Sequence, residues 1–173
     1  MSQHTPNIPL LVVDDDPDML TYIDGILPQQ DYTLFFARNG KEALDMLEEQ
    51  HFGIVMADIN MPGMDGISLC RHIRNKDYAK YVYVLLISSH TEEENIASGI
   101  RAGADDFLAK PFGSIDLLAK LHLASRTLRL HKELNSAQQS LVEQSLIDPL
   151  THISNRRYFM KQLRHNISRA ERY

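Results

Sequence analysis

The chain has 173 residues, 43% hydrophobic and 24% charged, with a formal net charge of −5. At roughly 100–200 residues per domain this holds one full domain and an appendage, and excludes two large domains. No stretch approaches the roughly 20 apolar residues of a membrane helix, and one cysteine, Cys70, excludes an internal disulfide. A soluble, cytoplasmic protein in a reducing compartment is expected, with no membrane partner. Met1 to Asn7 carry neither a basic cluster nor an apolar run, and read as a disordered N-terminus without a secretory signal.

The charge is uneven. Residues 1–125 hold 13 Asp and 6 Glu against 9 Lys plus Arg, a balance of −10, whereas residues 126–173 hold 4 acidic and 9 basic residues, a balance of +5. The basic residues of the second part are spread along helical sequence without aromatic interleaving, so they read as a solvated helix face and no nucleic-acid partner is expected.

Short runs rich in β-branched and aromatic residues predict five buried strands: Ile8 to Val13, Tyr32 to Ala37, Gly53 to Ala57, Val82 to Ile87 and Phe107 to Ala109. Between them lie segments of helical spacing. One starts at Asp16-Pro17, a second at Asn39, and later ones near Met64, Thr91 and Ser114. Five strand–helix repeats predict an α/β fold, a parallel sheet with helices on both faces. From Ser114 the helical pattern continues without Gly or Pro to about Leu146, too far for a helix that only covers a small sheet. Leu123, Thr127, Leu130, Leu134, Ala137 and Leu141 alternate spacings of four and three, the period of a coiled-coil seam. Two readings follow, a helix lying on its own domain and a protruding helix that forms a homodimer. Residues 126–147 are read as this linker helix.

In a parallel sheet all strands end on one edge, and ligands bind there at the topological switch point. The residues at that edge are Asp14, Asp15 and Asp16, then Asp58, then Ser88 and Ser89, then Lys110-Pro111. Taken singly, each has an ordinary reading: the first aspartates as helix caps, Asp58 to Gly66 as a turn, Ser88 as a loop hydroxyl, Lys110 as a surface charge. Taken together they form a site. Clustered carboxylates repel and raise one another's pKa, so Asp14, Asp15 and Asp58 want a cation. Mg²⁺ suits an open carboxylate cluster that leaves room for water and a phosphate oxygen. An aspartate there is also a nucleophile toward phosphorus, and the charge on the transferred group needs a fixed cation and a neutral donor, roles that fit Lys110 and Ser88. Pro111 restricts Lys110 to extended backbone and is a site for a cis bond.

Val12-Val13-Asp14-Asp15, Asp58 followed by Asn60-Met61-Pro62 and Met64-Asp65-Gly66, then Ser88 and Lys110-Pro111-Phe112, closely resemble the receiver domain of two-component response regulators, over residues 8 to about 125. The resemblance implies a flavodoxin-like sheet of order 2-1-3-4-5 with five helices. It implies that Asp58 accepts a phosphoryl group from a sensor histidine kinase or phosphotransfer protein, with Mg²⁺ held by Asp15, Asp58 and the backbone carbonyl of Asn60, and supported through water by Asp14. It also implies a switch in which the aromatic at Phe107 turns inward when the Ser88 hydroxyl engages the phosphoryl group.

Asp148-Pro149-Leu150-Thr151 with Asn155-Arg156-Arg157-Tyr158-Phe159 looks like the start of a GGDEF domain, the diguanylate cyclase module, over residues 148–173. Asn155 matches the asparagine that family uses on guanine, while Arg164 stands where it commonly has an aspartate and His152-Ile153 where it has Gly-Leu. The metal-binding aspartate segment and the signature itself are absent, so this stretch alone is no cyclase. The expectation is a receiver that signals through the long helix to a C-terminal output. A phosphoryl-passing or scaffold protein without enzymatic output is the alternative, and a metal-dependent aspartate phosphatase a third reading. Cys70 reads as a buried packing thiol. His51, His72, His90 and His122 fall on different elements without metal-ligand spacing, and His90 lies close enough to Ser88 to border the site.

Overall fold

The computed structural model describes residues 7–76, 78, 80–89 and 93–146. Five strands, β1 (Ile8–Val13), β2 (Tyr32–Ala37), β3 (Ile54–Asp58), β4 (Tyr83–Ser88) and β5 (Asp106–Ala109), alternate with helices α1 (Pro17–Ile26), α2 (Gly40–Glu49), α3 (Gly66–Asn75), α4 (Glu93–Ala102) and α5 (Ser114–Leu146). All strand pairs are parallel and the order is β2-β1-β3-β4-β5. This is the flavodoxin-like α/β sheet the sequence implied.

Alternation along each strand divides the core. Leu11, Val13, Val55, Ala57, Val84 and Leu86 meet α2, α3 and α4 through Leu47, Leu69, Cys70, Ile73 and Ala102. Leu10, Val12, Ile54, Met56, Leu85 and Ile87 meet α1 and α5 through Ile23, Leu117, Leu121 and Ala124, and Leu27 just past α1 joins them. Cys70 is fully buried, its Sγ 3.4 Å from the Ala102 carbonyl oxygen, and burial pushes the thiol up to about 11. It is a packing residue.

Helix starts are set by side-chain caps. The carboxylates of Asp16 and Asp65 accept from the backbone N–H of Asp18 and Ser68, and the Asn39 side chain from that of Glu42. The third helix therefore begins at Gly66, two residues after the expected Met64. Strands β3 and β4 each run one residue further than expected, because Asp58 still pairs with Ile87 and Ser88 with Ala109. The chain divides into two units, Met1–Arg129 and Leu130–Tyr173. Residues 147–173, including Asn155 and Arg164, lie outside the described residues, as do His90 and residues 1–6. Among the described residues no helix is long and apolar enough to cross a membrane.

At the end of α3, Arg74 fastens three segments. Its guanidinium donates to the carbonyls of Gly103 (2.7 Å) and Val82 (2.8 Å) and to the Asp105 carboxylate (2.6 Å), which also accepts from the Val84 N–H and from Tyr81. Arg74→Met strands these acceptors and is expected to cost on the order of 2–3 kcal/mol in urea unfolding; a loss within experimental error of zero would show the network to be ornamental.

Candidate functional site

The sheet order fixes which carboxylates meet. Strands β1 and β3 are neighbours with Val13 opposite Ala57, so Asp14 and Asp58 emerge side by side where the order reverses. Both are nearly inaccessible, 1% and 4% exposed. Two buried carboxylates side by side repel unless a cation joins them. That cation comes from β5: the Lys110 Nζ lies 2.8 Å from Asp14 Oδ2 and 2.6 Å from Asp58 Oδ1. Strand β4 separates β3 from β5, two spacings of about 4.8 Å, and the lysine stem and the Asp58 side chain together bridge that distance across the β4 end, where Ser88 is buried. The Lys110-Pro111 bond is cis.

The remaining carboxylate oxygens are taken up locally. Asp14 Oδ1 accepts from the Asp16 N–H (2.9 Å), and Asp58 Oδ2 from the Asn60 N–H (2.6 Å). Asp16 caps α1, Asp14 faces the site and Asp15 is exposed, so the aspartates divide the two roles the sequence left open. The loop after Asp58 is held by Met61, buried in the core, and by Gly66, where a Cβ would strike the Asp58 carbonyl oxygen and lie 3.0 Å from its carbonyl carbon. The sequence reading includes Gly66 in the Met64-Asp65-Gly66 motif, but assigns it no contact with Asp58.

Burial pushes the Asp58 carboxyl above its ordinary value; Lys110 and the Asn60 N–H pull it down, the Asp14 charge pushes it up, and the net shift is upward. Burial pulls the Lys110 ammonium down, but its bonds to Asp58 and Asp14 outweigh this and leave it raised.

The structure thus brings Asp14, Asp58 and Lys110 into direct contact, with Ser88 buried at the adjacent strand end and Asn60 on Asp58. Phe107 sits half-buried on β5, packed against the α2–α3–α4 side of the core. Asp15 is exposed, and among the described residues no group of three or more His, Cys, Asp and Glu is arranged to hold a metal ion. Lys110 bridges Asp14 and Asp58 beside the expected Mg²⁺ donors. The donors still fit such an ion: three carboxylates against one ammonium leave excess negative charge, and every donor is a hard oxygen.

A profile of the response regulator receiver domain matches residues 10–122. The chain belongs to the response regulator receiver family. This receiver is 34% identical over 122 residues to the transcriptional regulatory protein ResD of Bacillus subtilis, covering 68% of the chain and 50% of that protein. It is 28% identical over 145 residues to the regulatory protein VanR of Enterococcus faecium, covering 83% and 62%. The chain therefore spans between half and two thirds of the length of these relatives. Among solved structures, the receiver superposes with a TM-score of 0.67 and 29% identity on a "probable two-component system response regulator/GGDEF domain protein", covering 72% of this chain and 52% of that one. It superposes with a TM-score of 0.63 and 26% identity on the receiver domain of a sensor histidine kinase from Pseudomonas aeruginosa, whose structure has a magnesium ion coordinated in the active-site cleft, covering 69% and 98%.

A carboxyl whose pKa is raised on folding costs stability wherever the folded group is ionised, and the cost fades as pH falls through the folded pKa. Asp58→Asn keeps the shape and removes the buried charge. At pH 7 it is expected to raise the Tm by the equivalent of on the order of 1 kcal/mol, less at lower pH, read by calorimetry. A lower Tm at pH 7 would contradict this reading of the site.

Proposed function

We propose that this receiver accepts a phosphoryl group on Asp58 from a sensor histidine kinase or phosphotransfer protein. The observation that carries the reading is the Lys110 ammonium joined to two buried carboxylates at the sheet's switch point. An Asp58 carboxylate oxygen attacks the phosphorus of a phosphohistidine; the O–P bond forms as the P–N bond breaks, and the donor imidazole leaves with the electron pair. Asp58 is held for attack by the Asn60 N–H on Oδ2, while Lys110, already on Oδ1, meets the charge that builds on the phosphoryl oxygens. Ser88 supplies a neutral hydroxyl from the neighbouring strand end. Asp14, Asp15, Asp58 and the Asn60 carbonyl would hold Mg²⁺, which supplies electrostatic stabilisation of the phosphoryl oxygens when bound. Phe107 responds to Ser88, a local charge change biasing a two-state element.

The signal leaves through α5. In this reading residues 8–125 are the receiver, 126–147 the linker helix and 148–173 the start of a GGDEF-like domain, with Asn155 on guanine and synthesis of cyclic dimeric GMP as the full protein's output. Support comes from the motif residues and from the likeness to a solved protein described as having a GGDEF domain. Leu130, Leu134 and Leu141 are exposed, and pairing with a second copy along this seam would cover them.

Intact mass after an acyl phosphate donor tests the reading. One phosphoryl group is expected on the wild type with Mg²⁺ and none without it, and none on Asp58→Asn. Equal labelling of Asp58→Asn would remove Asp58 from its role.

A further inference from the structure

Helix α2 starts on a buried glycine, Gly40. The start of the helix is fixed without it: the Asn39 side chain accepts from the Glu42 N–H (2.9 Å), and the Glu42 carboxylate accepts in turn from the Arg38 N–H (2.7 Å). Nothing in the backbone asks for a glycine at position 40, since the left-handed glycines among the described residues are Gly63 and Gly103, and alanine is the better helix former. The demand is for space. A Cβ on Gly40 would lie 2.7 Å from Met64 Cγ, 2.9 Å from Met64 Cβ and 2.9 Å from the Met64 carbonyl oxygen. The last of these is backbone, so an alanine would have to move the loop and not only a side chain.

That loop, residues 59–65, is the one that follows Asp58. It is tied at both roots, where the Ile59 N–H donates to the Ile87 carbonyl (2.8 Å) and the Gly66 N–H to the Ile59 carbonyl (3.2 Å). Between the roots Asn60 sets its N–H on Asp58 Oδ2 at 2.6 Å, Met61 enters the core, and Met64 rests half-buried on the bare first turn of α2. We infer that Gly40 is a positioning residue for phosphoryl transfer to Asp58: its missing side chain lets Met64 and the loop close on α2, and the closed loop holds the Asn60 N–H against the carboxylate. This rests on the reading that Asp58 is the acceptor. Opening contacts of 2.7 and 2.9 Å to the ordinary separation of about 3.5 Å moves the loop by several tenths of an ångström, enough to misplace a group that orients a reacting atom. Helix α1 offers the contrast, because Gly25 is helical too and a Cβ there would meet nothing within 4 Å.

The test compares amide hydrogen exchange and loading in wild type, Gly40→Ala and Gly25→Ala. In Gly40→Ala the Asn60 amide is expected to exchange about tenfold faster, the change that goes with losing one hydrogen bond to a charged acceptor, while the Ile59 amide one residue earlier exchanges as in wild type. Loading from an acyl phosphate donor with Mg²⁺, followed by intact mass, is expected to slow about tenfold in Gly40→Ala and to be unchanged in Gly25→Ala. An Asn60 amide as slow in Gly40→Ala as in wild type, Asn60 and Ile59 amides accelerated alike, or loading slowed equally or not at all in the two glycine variants would overturn the inference. Absence of loading in all three proteins would count against the Asp58 reading alone, since exchange at Asn60 in the unloaded proteins still decides the positioning. If Gly40→Ala does not fold, Met64→Ala, which empties the same contact from the loop side, is expected to fold and to show both changes, at Asn60 and in loading; a wild-type value for either would overturn the inference.

Discussion

Everything at the functional edge depends on one ammonium placed between two buried carboxylates. Asp14 and Asp58 emerge side by side only because β1 and β3 are neighbours, and two such buried groups repel. Lys110 makes the arrangement tenable by reaching across the end of β4 to touch both. The lysine can do this because β5 closes the same side of the sheet. Burial still wins at Asp58, whose carboxyl stays above its ordinary pKa despite the contact. A site that remains costly when fully paired is poised to react or to bind, since either relieves the excess charge.

The opposite end of the strands is built differently. There Arg74, Asp105 and Tyr81 bind α3, β4 and the turn before β5 into one network in which each charge has its partner. The contrast divides the labour of the fold, with a satisfied network keeping the strands in register and a strained cluster held at their other ends. Between the two lies Phe107, on the strand that also delivers Lys110, half-buried against the interior of α4.

Most of the sheet was legible in the sequence, because runs such as Leu10 to Val13 and Val84 to Ile87 are continuous and apolar, as strands buried on both faces must be. The strand ends were less so. Asp58 and Ser88 look like loop residues by type, yet the backbone keeps pairing through them, and only tertiary context extends β3 and β4 that far. Asp14, Asp58 and Lys110 were found as a set from their places after successive strands. That the lysine would stand between the aspartates, leaving Asp15 exposed, was not legible, since it depends on the path of one flexible side chain. The contact of Gly66 with the Asp58 carbonyl was hidden for a related reason: a glycine shows only what must be absent.

The most direct measurement is an NMR pH titration of the Asp58 side-chain carboxyl carbon in wild type and in Lys110→Gln. Asp58 is expected to titrate above the ordinary carboxylate range in wild type, because burial outweighs the ammonium, and higher still once the ammonium is gone. Titration within the ordinary range in both proteins would mean that Asp58 is neither dry nor held by Lys110, and would contradict the picture of a charged cluster poised at the strand ends.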